Sequence, residues 1–222
     1  MHQSDIHYLG EKTTLYLHDN EAISAIIEQS GTFYEAEILH FLKQNFPKQR
    51  TIIDVGANIG NHALFFSKFL SPDRLICFEP FPPNYELLEK NTVHVAELHR
   101  VALGANERTT GMSFIRGNLG SPFLDPKVAG DTVVKTLDSF EFQDVSLLKI
   151  DVEIHYLEVL QGCLNTIDRC RPVIVVEGKF DEIFPLLVPF GYAAVMVWPQ
   201  FATYCFVRLF KGAGVKEVVP SQ

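Results

Sequence analysis

Residues 51–66 read TIIDVGANIGNHALFF, and the order of residue types in this stretch decides the fold. Thr51 to Val55 is a short β-branched run of the kind buried in a parallel sheet. Gly56 and Gly60 then bracket Ala57, Asn58 and Ile59, and a helix can run from His62 to Phe69. A strand that enters a helix through a tight glycine turn cradles nucleotides in α/β folds. Small residues admit a ligand to the backbone, and the helix start offers free N–H groups. A dinucleotide fingerprint needs glycine at the first, third and sixth places, whereas this turn has Gly56, Asn58 and Asn61. The carboxylate of Asp54 at the strand end also suits a ligand with an amine or a cation better than a pyrophosphate. The stretch points to S-adenosylmethionine.

A chain of 222 residues with 47% apolar and 12% aromatic residues suits one globular domain with a sizeable core. Its net charge of −8, without a lysine or arginine run, disfavours a nucleic-acid partner, which would need a basic face. The first residues lack the positive start and apolar stretch of a signal peptide. Cys77, Cys163, Cys170 and Cys205 have no CxxC spacing and read as free thiols in a reducing cytoplasm. Between Phe184 and Phe210, Arg208 is the one formal charge, but Pro185, Pro189, Gly191 and Pro199 divide the segment. The pieces fall far short of the ~20 residues that cross a bilayer. Core strands are expected there, and no membrane partner.

Along the chain, Leu15–Leu17 and Ile23–Ile27 suggest a small flap, either a hairpin or a strand plus helix. Apolar spacing from Gly31 to Phe46 predicts a helix that ends at Pro47, with Glu35 and Glu37 on opposite sides, so at most one can face a site. Further strands are predicted at Arg74–Phe78, Ala96–Leu103, Leu147–Asp151, Val173–Val176, Tyr192–Trp198 and Thr203–Phe210. Helices are predicted at Pro83–Asn91, Ile154–Cys163 and Asp181–Leu187. Residues 104–121 read as an irregular excursion or hairpin that closes in a turn at Asn118-Leu119-Gly120-Ser121. Five alternations of strand and helix imply a mostly parallel sheet with helices on both faces, and the last two strands should form an antiparallel hairpin at one edge. The expected organisation is a single domain over 1–222, with a flap and helix in 1–46 and a cofactor-binding core in 51–210.

Ligands of open α/β sheets lie outside the carboxyl ends of the strands, where this chain has Asp54, Glu79, Asp151 and Glu177. Glu79 lies 19 residues beyond Gly60 at the end of the next strand, where a carboxylate can accept two hydrogen bonds from a ribose diol. A nicotinamide enzyme would place an acid there too, so the glycine turn separates the two cofactors and Glu79 does not.

IIDVGANIG, CFEPFPPNYELLEKN, VKTLDSF, LLKIDVE with LEVLQG, and RPVIVVEG follow one another over residues 51–178 in an order and spacing that resembles the FkbM-type S-adenosylmethionine-dependent methyltransferases. The resemblance implies a class I methyltransferase fold, a Rossmann-like sheet of seven strands, mostly parallel, with the last strand antiparallel. It also implies that Asp54, Gly56, Asn58 and Gly60 surround the methionine part of the cofactor, with Ala57 and Asn61 in the same turn. Glu79 would hold the ribose, and Pro80, Phe81, Asn84, Ala102 and Leu103 would border the adenine. Asp151 would sit beside the sulfonium and the acceptor. The implied reaction is O-methylation of a hydroxyl on a small molecule, a sugar or glycan, or a polyketide. Residues 151–156 depart from the family pattern: Ile154, His155 and Tyr156 stand where Gly, Ala and Glu are usual.

An aliphatic hydroxyl needs a base as it attacks. Asp151 is the first candidate, as base or orienter, and Glu153, His155 and Glu177 are the others. Asp151, Glu153 and Glu177 could also serve Mg²⁺ or Ca²⁺, but no metal is expected, and the histidines lack zinc spacing. Glu35, Asn118, Gly120, Ser121 and Glu177 are expected on the substrate side. Two rival readings remain, a nicotinamide-dependent oxidoreductase and a cofactor-binding relative without turnover. Monomer and homodimer are both open.

Overall fold

The computed structural model describes residues 1–115 and 118–209. Phe210, the predicted end of the last strand, lies outside the described residues, as do 211–222. The central sheet has seven strands: β3 (Thr51–Val55), β4 (Arg74–Phe78), β5 (Glu97–His99), β10 (Val145–Ile150), β11 (Val173–Glu177), β12 (Tyr192–Trp198) and β13 (Thr203–Arg208). Their spatial order is β12-β13-β11-β10-β3-β4-β5. β13 alone runs antiparallel, between β11 and β12, as the resemblance implies. Every residue of β3 is buried, which its β-branched run announces.

Alternation along the strands sends side chains into two cores. Ile52 and Leu147 join Phe65 and Phe66 of α3 (Asn61–Phe69) and Leu39 and Leu42 of α2 (Ala36–Asn45). Ile53, Val55 and Ile150 join Val159, Leu160, Ile167 and Ile183 on the other face. That face is covered by α5 (Tyr156–Gln161), α6 (Leu164–Cys170) and α7 (Phe180–Leu187).

Three expectations need correcting, and the N-terminal flap, expected as a hairpin or a strand plus helix, has the strand and the helix with one further strand unforeseen. The N-terminal flap is a hairpin of β1 (His2–Tyr8) and β2 (Glu11–Leu17) followed by α1 (Ala22–Ser30); β1 has no apolar run, since Ile6 is its one buried residue. The strand expected over Ala96–Leu103 is two. β5 closes the central sheet, and β6 (Ala102–Leu103) starts a second one with β9 (Thr132–Lys135), β7 (Arg108–Ile115) and β8 (Asn118–Asp125). The excursion is therefore an ordered hairpin, and Asn118 to Ser121 begin a strand, not a turn. The predicted helix Ile154–Cys163 is a 3₁₀ turn over Glu153–His155, then α5, then a break and α6.

The break depends on contacts from distant residues. A Cβ at Gly162 would lie 2.1 Å from the carbonyl oxygen of Gly104, so only glycine fits there, and the Gly162 carbonyl accepts from the Asp138 N–H at 3.0 Å. Asp138 also restarts the helix, accepting from the N–H groups of Asn165 at 3.1 Å and Thr166 at 2.8 Å. Gly162→Ala is expected to destabilise the fold by about 1–3 kcal/mol in urea unfolding. An unchanged midpoint would contradict that packing.

Candidate active site

The turn after β3 is built by backbone contacts. The N–H groups of Gly56 and Ala57 both donate to the carbonyl of Phe78, at 2.9 and 3.0 Å, which ties the turn to the end of β4. Gly56 has φ +79°, and a Cβ there would lie 1.8 Å from the carbonyl oxygen of Asp151, so only glycine lets the β3 and β10 ends meet. Asn58 takes a left-handed conformation, and its N–H donates to Oε2 of Glu79 at 2.9 Å; the N–H of Phe81 donates to Oε1 at 2.8 Å. Burial pushes the Glu79 carboxyl up to about 7, against the pull of those two donors.

A cavity of about 420 Å³ opens over these strand ends, within the range of small-molecule and cofactor sites. Its floor is charged. Lys149, 4% exposed, has its Nζ 3.4 Å from Asp54 Oδ1 and 3.3 Å from Asp151 Oδ2. Burial alone would push the ammonium down, but the two carboxylates outweigh it and hold Lys149 above the ordinary lysine range. The same ammonium overcomes burial at Asp151 and keeps that carboxyl below its ordinary value. Glu177 at the end of β11 is pushed up to about 9 by burial and by Asp151. At neutral pH, Asp151 is the anion of the pair and Glu177 carries the proton.

One wall comes from upstream of the sheet. The side-chain amide of Asn61 accepts from the Tyr34 N–H at 3.0 Å and donates to the Tyr34 carbonyl at 3.2 Å. This clamp fixes the residue before Glu35, which takes a left-handed conformation at φ +55°. Glu35 Oε2 then lies 3.2 Å from Nε2 of His62, and both side chains are buried. The opposite wall is β8 with α1. Ile23 and Ile26 border the cavity, and Gly120 sits against Ile23, which a Cβ would approach to 2.6 Å. Three side chains fasten β8 over the opening: Asn58 to Gly120 O at 3.4 Å, Asn84 to Leu119 O at 2.8 Å, and His155 Nε2 to Leu124 O at 3.0 Å.

Of the residues predicted for cofactor, Gly56, Ala57, Asn58, Asn61, Glu79, Pro80, Ala102, Leu103 and Asp151 line the cavity. Asp54, Gly60, Phe81 and Asn84 stand behind its wall: Asp54 is fully buried under Lys149, Gly60 packs on Thr92 and Leu88, Phe81 contacts the Phe114 ring, and Asn84 fastens β8. Glu153 and His155 line the cavity, as do Glu35, Gly120, Ser121 and Glu177; the Asn118 side chain lies outside the described residues. The left-handed residue of the departing segment is Glu153, at φ +56°, and Ile154 is exposed. Tyr156 packs on Gly178 and its hydroxyl donates to Glu182 at 2.5 Å, a structural role. His62, Lys149 and Tyr34 line the cavity unforeseen. His62 lay in plain view in the opening stretch, but its partner Glu35 comes from a distant segment. Among the described residues no group of three His, Cys, Asp or Glu side chains is arranged to hold a metal ion.

A seven-stranded sheet with β13 reversed and a cavity over its carboxyl rim defines a class I methyltransferase fold. Residues 54–193 match the methyltransferase FkbM domain, and the chain belongs to that family. Over 149 residues it is 26% identical to the hexuronic acid methyltransferase AglP of Haloferax volcanii, covering 64% of this chain and 61% of that one. It is 25% identical over 193 residues to methyltransferase 1 of Beauveria bassiana, covering 71% and 78%. In fold it is similar to a methyltransferase FkbM from Methylobacillus flagellatus, with TM-score 0.53 and 16% identity over 72% of this chain and 43% of that one. A ribosomal protein L11 methylase from Lactobacillus delbrueckii has TM-score 0.51 and 12% identity, with 78% of each chain covered.

The Glu79 environment has a measurable consequence. Its folded value of about 7 exceeds the ordinary 4.5, so the folded chain holds this proton more tightly than the unfolded chain does. The stability this contributes is present below about 4.5 and is lost as pH rises to about 7. Ligand-free protein should therefore lose stability relative to Glu79→Gln across that window, with a constant gap above it. Thermal melts of both proteins at pH 4.5–8 test this, and parallel curves would contradict it.

Proposed function

We propose that this chain is an S-adenosylmethionine-dependent methyltransferase that O-methylates a hydroxyl of a small molecule, a sugar or glycan, or a polyketide-like acceptor. The observation that carries the reading is Glu79, buried at the end of β4 beside a glycine turn that lacks the dinucleotide spacing. Its two oxygens are held in place by the N–H groups of Asn58 and Phe81, ready to accept from a vicinal diol. The rest of the lining fits the same ligand. Asp151 supplies an anion for a cationic centre, and Ala102 and Leu103 supply apolar surface for a base. When bound, the cofactor supplies a methyl group on a sulfonium, a strong electrophile with a neutral leaving group. The protein's part is then to align the acceptor oxygen and exclude water, and β8 fastened over the opening suits both tasks.

The hexuronic acid methyltransferase among its relatives supports a carbohydrate acceptor. The net charge of −8 and the acidic lining favour a small molecule over nucleic acid. Among the described residues no helix is long and apolar enough to cross a membrane. The described cysteines are all free thiols, as suits a reducing, cytoplasmic setting.

Isothermal titration calorimetry tests the cofactor. S-adenosylmethionine and its demethylated product should bind, and Glu79→Ala should weaken them about 10- to 100-fold through the lost diol hydrogen bonds. Absence of binding at millimolar ligand, with NADH binding instead, would overturn the reading.

A further inference from the structure

The cavity lining includes a buried nitrogen without a hydrogen-bond partner among the described residues. His62 is 6% exposed and lines the cavity, and its Nε2 lies 3.2 Å from Glu35 Oε2 but out of line for a hydrogen bond. Among the described residues no other group hydrogen-bonds the ring. A buried polar atom left in this state costs free energy. The surroundings do not relieve the cost but preserve it. Asn61 clamps both backbone groups of Tyr34, and Glu35 is held in a left-handed conformation that non-glycine residues seldom adopt. Such strain persists where a site needs it.

Resting on the methyltransferase reading, we propose that His62 is the base that takes the acceptor's hydroxyl proton, with Glu35 as the residue that orients it. The Glu35 carboxylate, 3.2 Å from Nε2 though out of line for a hydrogen bond, favours the ring hydrogen on that nitrogen by its charge, and the other ring nitrogen, Nδ1, is assigned to the acceptor. As the acceptor oxygen forms its new bond to the methyl carbon, its proton passes to Nδ1. The electron pair of the breaking carbon–sulfur bond stays on sulfur, which becomes a neutral thioether. The imidazolium that results is stabilised by the Glu35 carboxylate.

The other candidates are less suited. Asp151 is held ionised by Lys149 and is a weak base, and Glu177 is protonated at neutral pH. His155 has Nε2 bound to the Leu124 carbonyl and Nδ1 3.7 Å from Glu158. The charged groups that share the surroundings of His62 are the N-terminus of α3, whose second residue it is, Lys149 near the end of β10, Glu35 ahead of α2 and Asp151 after β10, while Glu177 at the end of β11 is neutral there. Tyr34, pushed up to about 12 by burial and by Glu35, stays a neutral hydroxyl.

Two measurements on the full chain test this, the first with the chain saturated with the demethylated cofactor product and the second with S-adenosylmethionine as the methyl donor. Long-range ¹H–¹⁵N correlation of ¹⁵N-histidine protein, with His62 assigned from His62→Gln, should give a neutral ring with its hydrogen on Nε2 between pH 7 and 8.5. Glu35→Gln should shift that balance toward Nδ1. A ring protonated up to pH 8.5, or with its hydrogen on Nδ1 in the unaltered protein, overturns the proposal without any acceptor being known. In the second measurement the probes are the methyl glycosides of glucose, galactose and glucuronic acid, read by release of the demethylated product. His62→Gln should lower kcat about 10²-fold or more, abolish the rise of rate through neutral pH, and leave product affinity within about 3-fold. An unchanged pH profile overturns the proposal. Failure of the unaltered protein to bind the product would instead overturn the methyltransferase reading itself.

Discussion

Lys149 is the interaction on which the sheet rim depends. It lies one residue before the end of β10, a strand flanked on both sides by others, buried, with Asp54 on one side and Asp151 on the other. Removing a charge from water costs several kcal/mol, and a buried pair recovers this only where geometry and hydrogen bonds are good. Here they are incomplete: both oxygens of Asp54 lack a hydrogen-bond partner among the described residues. The network is therefore a poor source of stability, and its effect is on charge state. One ammonium holds the Asp151 carboxyl down, while burial and the neighbouring Asp151 push Glu177 up. Neighbouring carboxyl groups are thus set to different protonation states at the same pH, which gives one rim both an anion and a neutral donor.

Much of this was legible in the sequence, for identifiable reasons. The strands β3, β4, β10 and β11 are β-branched or apolar runs bounded by turn residues, and the carboxylates at their ends fall on one rim once the strands are parallel. β1 was not legible, because only Ile6 of its residues is buried and an alternating pattern needs more than one point. Asn118 to Ser121 have the composition of a turn, yet pairing with β7 and contact with α1 make them a strand, and Gly120 is there to admit Ile23. Tertiary contact overrode local preference. The break after Gly162 likewise depends on a distant residue, Asp138, which binds the Gly162 carbonyl and the Thr166 N–H and is invisible to helical periodicity.

In the site, position along the strands identified the acids but not what they touch. Asp54 reads as a ligand contact, and what its position in the sequence did not reveal is Lys149, whose Nζ lies 3.4 Å from its Oδ1. His155 reads as a candidate base, and the structure adds a contact that the sequence did not show, from its Nε2 to the Leu124 carbonyl of β8, while Tyr156 turns to Glu182. Glu35 and His62 could not be paired from the sequence, because their approach depends on the Asn61 clamp and on one left-handed residue.

A double-mutant cycle at Lys149 and Asp54 tests the central claim most directly. Lys149→Met leaves Asp54 buried without its counter-ion and should cost about 3–5 kcal/mol of unfolding free energy. Adding Asp54→Asn should recover a large part of that loss. Losses that simply add would mean that the two groups do not depend on each other, and would contradict the account.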